Sequence, residues 1–331
     1  MARRTSLMIV GTAVSIGLPW FMPNNYYVQV LVLAIIYIIA AMGLNFIYGF
    51  TGYISFAQAA FLGIGAYTTA ILTVDYGWPP LLSWIAVIVV SAVFGILLGI
   101  PSLRLKGHYL AMATIGFTIV LQMILMNWNA VTHGAVGVNG IPSVQIGAWK
   151  ADQPTSFYYV AMAAAGILFL FQRNILRSKL GRSFLAIRED EIAASSAGVN
   201  LTRTKVFAFV LSAVYGGLAG ALYAQFSSYI SPDTFSFDQS IVLFSMILIG
   251  GSGTLLGPVV GGVLLTFLPE WLRFIKEYYM AIYGLGIFFA VLFMPRGIVP
   301  VITHWLEGRR RVRNPSDTMH VVEASNKEGV V

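Results

Sequence analysis

The sequence alternates long apolar stretches with short polar ones, and no long apolar stretch contains Asp, Glu, Lys, Arg or His. Each stretch approaches the roughly 20 residues that a helix needs to cross the hydrocarbon core of a bilayer. In lipid every backbone N–H and C=O needs an internal partner, which a helix supplies. Charged residues make up only 10% of the chain, against about a quarter in soluble domains. The predicted fold class is therefore an all-α polytopic membrane protein.

We predict about eight to ten transmembrane helices, some of them interrupted by glycine or re-entrant. The first apolar stretch follows Arg3 and Arg4 but has no small-residue cleavage site, so we interpret it as a retained helix rather than a signal peptide. The candidate spans are Ser6–Met22, Val28–Tyr48, Tyr53–Val74, Leu81–Ile100, Tyr109–Trp128, Phe157–Phe171, Val206–Ile230, the long stretch Gln239–Leu268, and Tyr279–Met294.

The basic residues predict the orientation, because Lys and Arg collect in cytoplasmic loops. With a cytoplasmic N-terminus, every Lys and Arg except Lys150, Arg273 and Lys276 falls on the inner side. Both termini are then cytoplasmic and the number of crossings is even. The stretch 239–268 is then either a re-entrant pair of half-helices or two short spans. The chain is expected to form one transmembrane domain (1–306) with an outer loop (127–156), a cytoplasmic loop (173–205) and a disordered cytoplasmic tail (307–331).

Glycine runs interrupt two apolar regions, at Gly49–Gly52 and at Gly250–Gly253. Paired broken segments of this kind are typical of a transporter's substrate path, because freed backbone groups line a cavity there. The alternative is that glycines only let helices pack closely, as in the pairs Gly216/Gly220 and Gly257/Gly261. The residues predicted to line a path are Gly49, Thr51, Gly52, Ser55, Gln58, Gly250, Gly251, Ser252, Gly253 and Thr254.

The lack of ionisable residues in the spans argues against several functions. Proton relays and voltage sensors need such groups, and a Ser–His pair needs a histidine at the depth of its serine. The chain has no cysteine, and its histidines (His108, His133, His304 and His320) are too scattered for a metal site. No catalytic, cofactor-binding or metal-binding residue is therefore predicted. Sodium coupling through carbonyls and hydroxyls stays open; otherwise transport is passive or is driven by a partner.

The loop 173–205 is the largest charged segment in the interior of the sequence. Strong helix formers follow Gly181, and Gly198 is placed as a helix end. Phe184, Ile187 and Glu191 fall on one face of this predicted helix. It is too short and too charged to span a membrane, so it either lies on lipid headgroups or docks into another protein.

Docking is the favoured interpretation. Helices that lie on lipid carry Lys and Arg on their polar face, whereas the acidic run Glu189–Glu191 is repelled by an anionic leaflet. The small residues that follow permit close approach of a protein surface. The predicted docking residues are Gly181, Arg182, Ala186, Ile187, Arg188, Glu189, Asp190, Glu191, Ala193, Ala194 and Gly198.

This run closely resembles the cytoplasmic loop of LivM-type permeases, the membrane subunits of ABC importers for branched-chain amino acids. The similarity extends over nearly the whole chain, and the ordered matches together make it specific. The matching segments are Gly49–Tyr67, Leu103–Thr114, Gly181–Ala194, Gly198–Asn200, Lys205–Gln225, Ser231–Pro232, Gly250–Gly262 and Pro295–Gly297.

The resemblance implies a non-catalytic subunit in a bacterial inner membrane. Its implied partners are a LivH-type sister permease, two cytoplasmic ABC ATPases and a periplasmic substrate-binding protein, and its surroundings are the lipid bilayer. ATP would bind to the ATPases, because this chain has no Walker-type phosphate loop. No cofactor is expected on this chain. The net charge of +7 follows from the cytoplasmic basic loops, so no nucleic acid partner is expected.

The substrate is left open among related solutes. Leucine, isoleucine and valine are the default that the resemblance implies, while similar permeases serve urea, short amides, other amino acids and other carboxylates. Two further alternatives belong to other classes of transporter. A passive channel for a small neutral solute needs no ATP and no partner, and an ion-coupled carrier shows sodium- or proton-dependent uptake by this chain alone.

Overall fold

The computed structural model describes residues 24–105, 107–146, 149–272, 284, 285 and 297–301, together with Gly17 and Pro19. Apart from isolated positions, the predicted spans Ser6–Met22 and Tyr279–Met294 and the tail 307–331 lie outside these residues. The described helices are α1 (Asn25–Asn45), α2 (Gln58–Ala70), α3 (Pro80–Ser102), α4 (His108–Asn127), α5 (Asn129–Thr132), α6 (Pro154–Arg177), α7 (Lys179–Glu189), α8 (Glu191–Ser196), α9 (Leu201–Ser227), α10 (Phe237–Gly250) and α11 (Gly257–Leu272).

Short elements complete the fold. One π-helical turn (Phe46–Phe50) extends α1 and another (Ile71–Asp75) extends α2, and 3₁₀ turns cover Gly134–Val136 and Pro232–Phe235. The strands of two residues each are β1 (Val138–Asn139), β2 (Gln145–Ile146), β3 (Trp149–Lys150) and β4 (Tyr229–Ile230). β1 pairs with β4 and β2 with β3, both antiparallel.

The all-α polytopic class is confirmed. Within the described residues, five helices are long and apolar enough to cross a membrane: α1 with its π turn, α3, α4, α6 and α9. The helix predicted to begin at Tyr53 begins at Gln58, and residues 52–57 before it are not helical. The stretch Gln239–Leu268 divides into α10 and α11. Gly257 and Pro258 do not interrupt it further, because proline fits the first turn of a helix.

Helix α9 lies at the centre of the bundle and packs against α1, α2 and α3. Glycines bring these helices together: a Cβ on Gly65 would lie 1.9 Å from the carbonyl oxygen of Gly217, and one on Gly220 would lie 1.9 Å from that of Leu62. Helix α3 is buried on one side only, and its outer side is apolar, with Ile85, Val89, Val93 and Leu97 exposed. Such an outer side suits lipid or another membrane subunit.

Candidate functional site

The polar segment (residues 178–200) contains two helices, α7 and α8, where the sequence predicted one. The break falls at Asp190, whose side chain caps α8 by accepting hydrogen bonds from the backbone N–H groups of Ile192 (2.7 Å) and Ala193 (2.9 Å). Aspartate is a strong N-cap residue, and its side chain competes with helix continuation. Gly198, with φ of 83°, follows the end of α8, as the sequence predicted.

The predicted docking residues divide between two sides of this segment. Those that pack inward include Ile187 and Ala194, each 3% exposed, and Gly181, where a Cβ would lie 2.3 Å from the carbonyl oxygen of Leu176; Ala186 and Glu191 are half-buried. The exposed ones are Arg182, Arg188, Glu189, Asp190, Ala193 and Gly198. Two apolar side chains that were not predicted for docking, Leu185 (44% exposed) and Ile192 (79%), lie among them.

The first break (residues 49–57) begins inside the π turn of α1, and its residues 52–57 are in non-helical conformation. Side chains from other helices satisfy its backbone groups. Thr114 accepts a hydrogen bond from the N–H of Phe56 (3.0 Å), and Thr118 donates to the carbonyl of the same residue (2.9 Å). Ser240 of α10 accepts from the N–H of Ala59, just beyond the break (3.1 Å). Helices α4 and α10 therefore supply partners to an irregular segment, whose buried backbone groups would be costly to leave unpaired.

The second break (residues 250–256) lies against the first, and Asn45 joins them. The Asn45 side chain is fully buried. Its amide nitrogen donates to the carbonyl of Thr254 (2.9 Å), and its oxygen accepts from the N–H of Gly253 (3.1 Å). Gly49 is equally constrained, because a Cβ there would lie 2.6 Å from the nitrogen of Gly253. The structure thus brings together the two glycine runs that lie far apart in the sequence.

Arg188 connects the polar segment to both breaks. Its Nη1 donates to the carbonyl of Gly49 (2.6 Å). The same nitrogen would be 2.1 Å from a Cβ on Gly253, so the guanidinium occupies space that is open because residue 253 is glycine. A carbonyl in the last turn of a helix lacks an intrahelical partner and attracts a cation. The contact is therefore a charge-assisted hydrogen bond at the end of α1.

Glu191 makes a second connection between the polar segment and the first break. The hydroxyl of Tyr53 donates to one Glu191 oxygen, and Lys205 Nζ lies 2.9 Å from the other. Lys205 also lies 4.7 Å above the centre of the Tyr53 ring, a cation–π geometry. Only 6% of the Lys205 side chain is exposed. From the sequence, Lys205 was predicted only to help set the orientation of the chain in the membrane. Its position at the start of an apolar span was nevertheless a signal that it has a buried partner.

Two of the remaining predicted path residues, Gln58 and Thr51, have clear structural partners. Gln58 donates to the carbonyl of Ala40 (2.7 Å) and accepts from Ser212 (2.7 Å), so it ties α2 to α1 and α9. Thr51 donates to the carbonyl of Ile47 (2.7 Å). Ser55 is buried, Gly250 and Gly251 are buried, and Ser252 is partly exposed. The lining of a path stays a prediction for all of these residues.

Asn45 is the site residue that sequence reasoning missed. It stood out only as one of the few amides within an apolar span, a signal shared with Gln122 and Gln225. Gln225 instead accepts from the indole N–H of Trp84 and donates to the carbonyl of Pro80. Within the described ranges there is no group of three or more His, Asp or Glu residues that could hold a metal ion.

An apolar helical bundle, two glycine breaks in contact and a polar segment bonded to them define the class of a membrane transport subunit. The chain belongs to the family of permease components of branched-chain amino acid transport systems, which it matches over residues 26–292. The match includes the whole polar segment and both breaks.

The chain is 33% identical to the high-affinity branched-chain amino acid transport system permease protein LivM of Salmonella typhimurium, over 86% of this chain and 73% of the relative. It is 32% identical to LivM of Escherichia coli K12, over 85% and 72%. The permease LivH of Escherichia coli K12 is 26% identical, over 69% and 79%. No solved structure matches the chain.

Proposed function

We propose that this chain is the transmembrane permease subunit of an ABC importer that carries branched-chain amino acids, or a related small solute, into the cell. The observation that carries the proposal is the family match over residues 26–292, which covers the described helices α2 to α11 completely and α1 from Tyr26. Relatives named LivM and LivH both match. A sister permease of the LivH type is therefore the proposed partner in the membrane.

Energy is proposed to come from two cytoplasmic ATPases, with ATP bound by them and no cofactor bound by this chain. The outward side of the polar segment supports an ATPase contact there. Leu185 and Ile192 are exposed between charged residues, and exposed apolar side chains rimmed by polar ones are typical of protein interfaces. The chain itself is proposed to be non-catalytic, and a periplasmic binding protein is proposed to deliver the solute.

The proposed orientation places the polar segment and both termini in the cytoplasm. It is supported by the distribution of Lys and Arg along the sequence. The residues predicted to line a path are all uncharged, which suits a zwitterionic solute that passes without a tight site.

Reconstitution in proteoliposomes tests the proposal. The chain is incorporated with its sister permease, ATPases and binding protein. Uptake of labelled leucine, isoleucine and valine is measured with and without ATP on the side of the membrane that carries the ATPases. We expect uptake to require ATP, the ATPases and the binding protein together. Competition with unlabelled urea, short amides and other amino acids then defines the substrate. ATP-independent uptake by the chain alone would establish a passive channel or an ion-coupled carrier instead.

A further inference from the structure

The polar segment holds the first break at two points, and these points flank the junction between α7 and α8. Arg188, in the last turn of α7, donates to the carbonyl of Gly49 (2.6 Å). Glu191, the first residue of α8, accepts from the hydroxyl of Tyr53. Two attachments fix the direction of the first break as well as its position. The α7–α8 junction is therefore bonded to the residues that follow α1.

The second break is bonded to the end of α1, next to the first break. Asn45 bonds to the backbone of both Gly253 and Thr254, and it lies in the last turn of α1, immediately before the π turn that contains Gly49. The guanidinium of Arg188 also occupies the space where residue 253 has no Cβ. One arginine on the polar segment thus contacts both halves of the broken region.

Arg188 differs from its apolar neighbours in what its side chain contacts. Leu185 and Ile192 present their side chains to the surface, with 44% and 79% exposed. Arg188 is also exposed, but its guanidinium donates to the carbonyl of Gly49. The segment therefore has some side chains that are available to a partner and another that is bonded to the breaks. These two roles can be separated by substitution.

We propose that Arg188 is a positioning residue that transmits movement of the polar segment to the two breaks, so that its loss uncouples ATP hydrolysis from transport while the ATPases stay bound. This inference rests on the proposed function. Loss of one charge-assisted hydrogen bond corresponds to a change of about tenfold or more in an equilibrium constant. We expect solute uptake per ATP hydrolysed to fall by about that factor in Arg188→Gln.

The test uses the complete transporter in proteoliposomes, with Arg188→Gln, Arg188→Lys and the outward-facing control Ile192→Glu. Three quantities are measured: the amount of ATPase that co-purifies with tagged permease, ATP hydrolysis, and leucine uptake. Arg188→Gln is expected to retain the ATPase but to lose uptake per ATP, and Arg188→Lys to fall between it and the unsubstituted chain, since lysine keeps the charge without the fork. Ile192→Glu is expected to lose the ATPase itself.

Gly253→Ala provides a second route to the same contact without changing the polar segment. Its Cβ would lie 2.1 Å from Arg188 Nη1 and 2.7 Å from the carbonyl oxygen of Gly49, so the hydrogen bond between these two atoms must rearrange. The alanine also strains the backbone, because residue 253 has φ of 74°, and its thermal midpoint is therefore measured as well. If Arg188→Gln accumulates poorly, the same loss of uptake per ATP is expected in Gly253→Ala. The inference is overturned if Arg188→Gln loses the ATPase as Ile192→Glu does, because Arg188 is then a docking residue. It is equally overturned if uptake per ATP is unchanged in both Arg188→Gln and Gly253→Ala.

Failure of the proposed function gives a different pattern. If the unsubstituted chain retains no ATPase, or takes up solute without ATP, then the importer assignment is wrong whatever the Arg188 variants do. If the unsubstituted chain is ATP-dependent and only the Arg188 and Gly253 results disagree, the importer assignment stands and the transmission role alone is wrong.

Discussion

Lys205 is a buried cation whose charge is matched inside the protein. Its ammonium bonds to Glu191 at 2.9 Å and lies over the ring of Tyr53, while 6% of its side chain and 27% of that of Glu191 are exposed. Removing one partner of such a pair leaves the other charge poorly solvated, whereas an exposed pair contributes little. The pair therefore holds α8, α9 and the first break together at one point.

Lys205→Met is expected to destabilise the protein by about 2 kcal/mol, less than for a fully buried pair because Glu191 is partly exposed. The measurement is the thermal unfolding midpoint of the purified protein in detergent. Lys179→Met, the same change at an exposed position of α7, is the matched control and should leave the midpoint nearly unchanged. Equal shifts in the two variants would show that the Glu191 contact contributes no more than general surface charge.

Gly52 and Arg188 approach closely enough for a cross-link. A Cβ on Gly52 would lie 4.0 Å from Cβ of Arg188, within the roughly 3.5–4.5 Å that a disulfide requires. We expect Gly52→Cys/Arg188→Cys to form an intramolecular disulfide on mild oxidation. Because the natural chain has no cysteine, the number of free thiols counted with a maleimide-linked polymer reports the cross-link directly.

The matched control for this cross-link is Gly140→Cys/Arg188→Cys. Gly140 also has a positive φ (78°, against 80° at Gly52), so both variants carry similar backbone strain. A Cβ on Gly140 would have no heavy atom within 4 Å, so its thiols should stay free. Two free thiols in the Gly52 variant after oxidation would contradict the contact between the polar segment and the first break.

At the scale of elements, the sequence predicted the five long described helices well because each is a long apolar run bounded by polar or turn-forming residues. The predicted span Val28–Tyr48, for example, appears as α1 with its π turn. The break at Asp190 was missed because an N-cap aspartate and a mid-helix aspartate look alike without backbone geometry. Asn45 was missed because its partners, Gly253 and Thr254, are distant in sequence; hydrophobic periodicity carries no information on such pairings.

Close helix packing, one of the two interpretations offered for the glycines, applies to some of them, and the structure shows a further role at Gly253. Gly220 and Gly261 mediate close helix contact, with a would-be Cβ 1.9 Å and 1.7 Å from backbone oxygens of Leu62 and Met246. Gly253 instead makes room for Arg188. Composition alone does not distinguish a packing glycine from one beside a functional side chain, because both remove the same Cβ.

Gly220→Ala is expected to destabilise the α2–α9 contact by about 2 kcal/mol, the usual cost of overpacking in a dense interior. Gly166→Ala in α6 is the matched control, since a Cβ there would meet no heavy atom within 4 Å, and alanine has the higher helix propensity. The yield of monodisperse protein and the thermal midpoint are compared. A drop in Gly166→Ala as large as that in Gly220→Ala would argue against close backbone packing at Gly220.

At the scale of the whole molecule, the polar and irregular elements collect at two ends of an apolar bundle. One end carries the polar segment with both breaks. Elsewhere the loop between α4 and α6 pairs with the residues after α9 through β1 and β4, and His133 lies 3.2 Å from Asp75 at the end of the π turn after α2. Since α9 runs from the polar segment to β4, these contacts lie at the opposite end.

Single cysteines at the two ends test the orientation of the whole chain. Val136 (80% exposed) and Ile192 (79% exposed) are both β-branched and almost equally accessible, so differences in thiol labelling report sidedness rather than burial. We expect a membrane-impermeant maleimide to label Val136→Cys in intact spheroplasts, and Ile192→Cys only after permeabilisation, because the basic residues place the polar segment inside. The reverse pattern would show that the charge distribution does not set the topology.

The same two variants test the ATPase contact. In permeabilised membranes, added ATPase subunits should lower the labelling of Ile192→Cys but not that of Val136→Cys. If Ile192→Cys is not protected, the ATPase contact lies elsewhere on the chain.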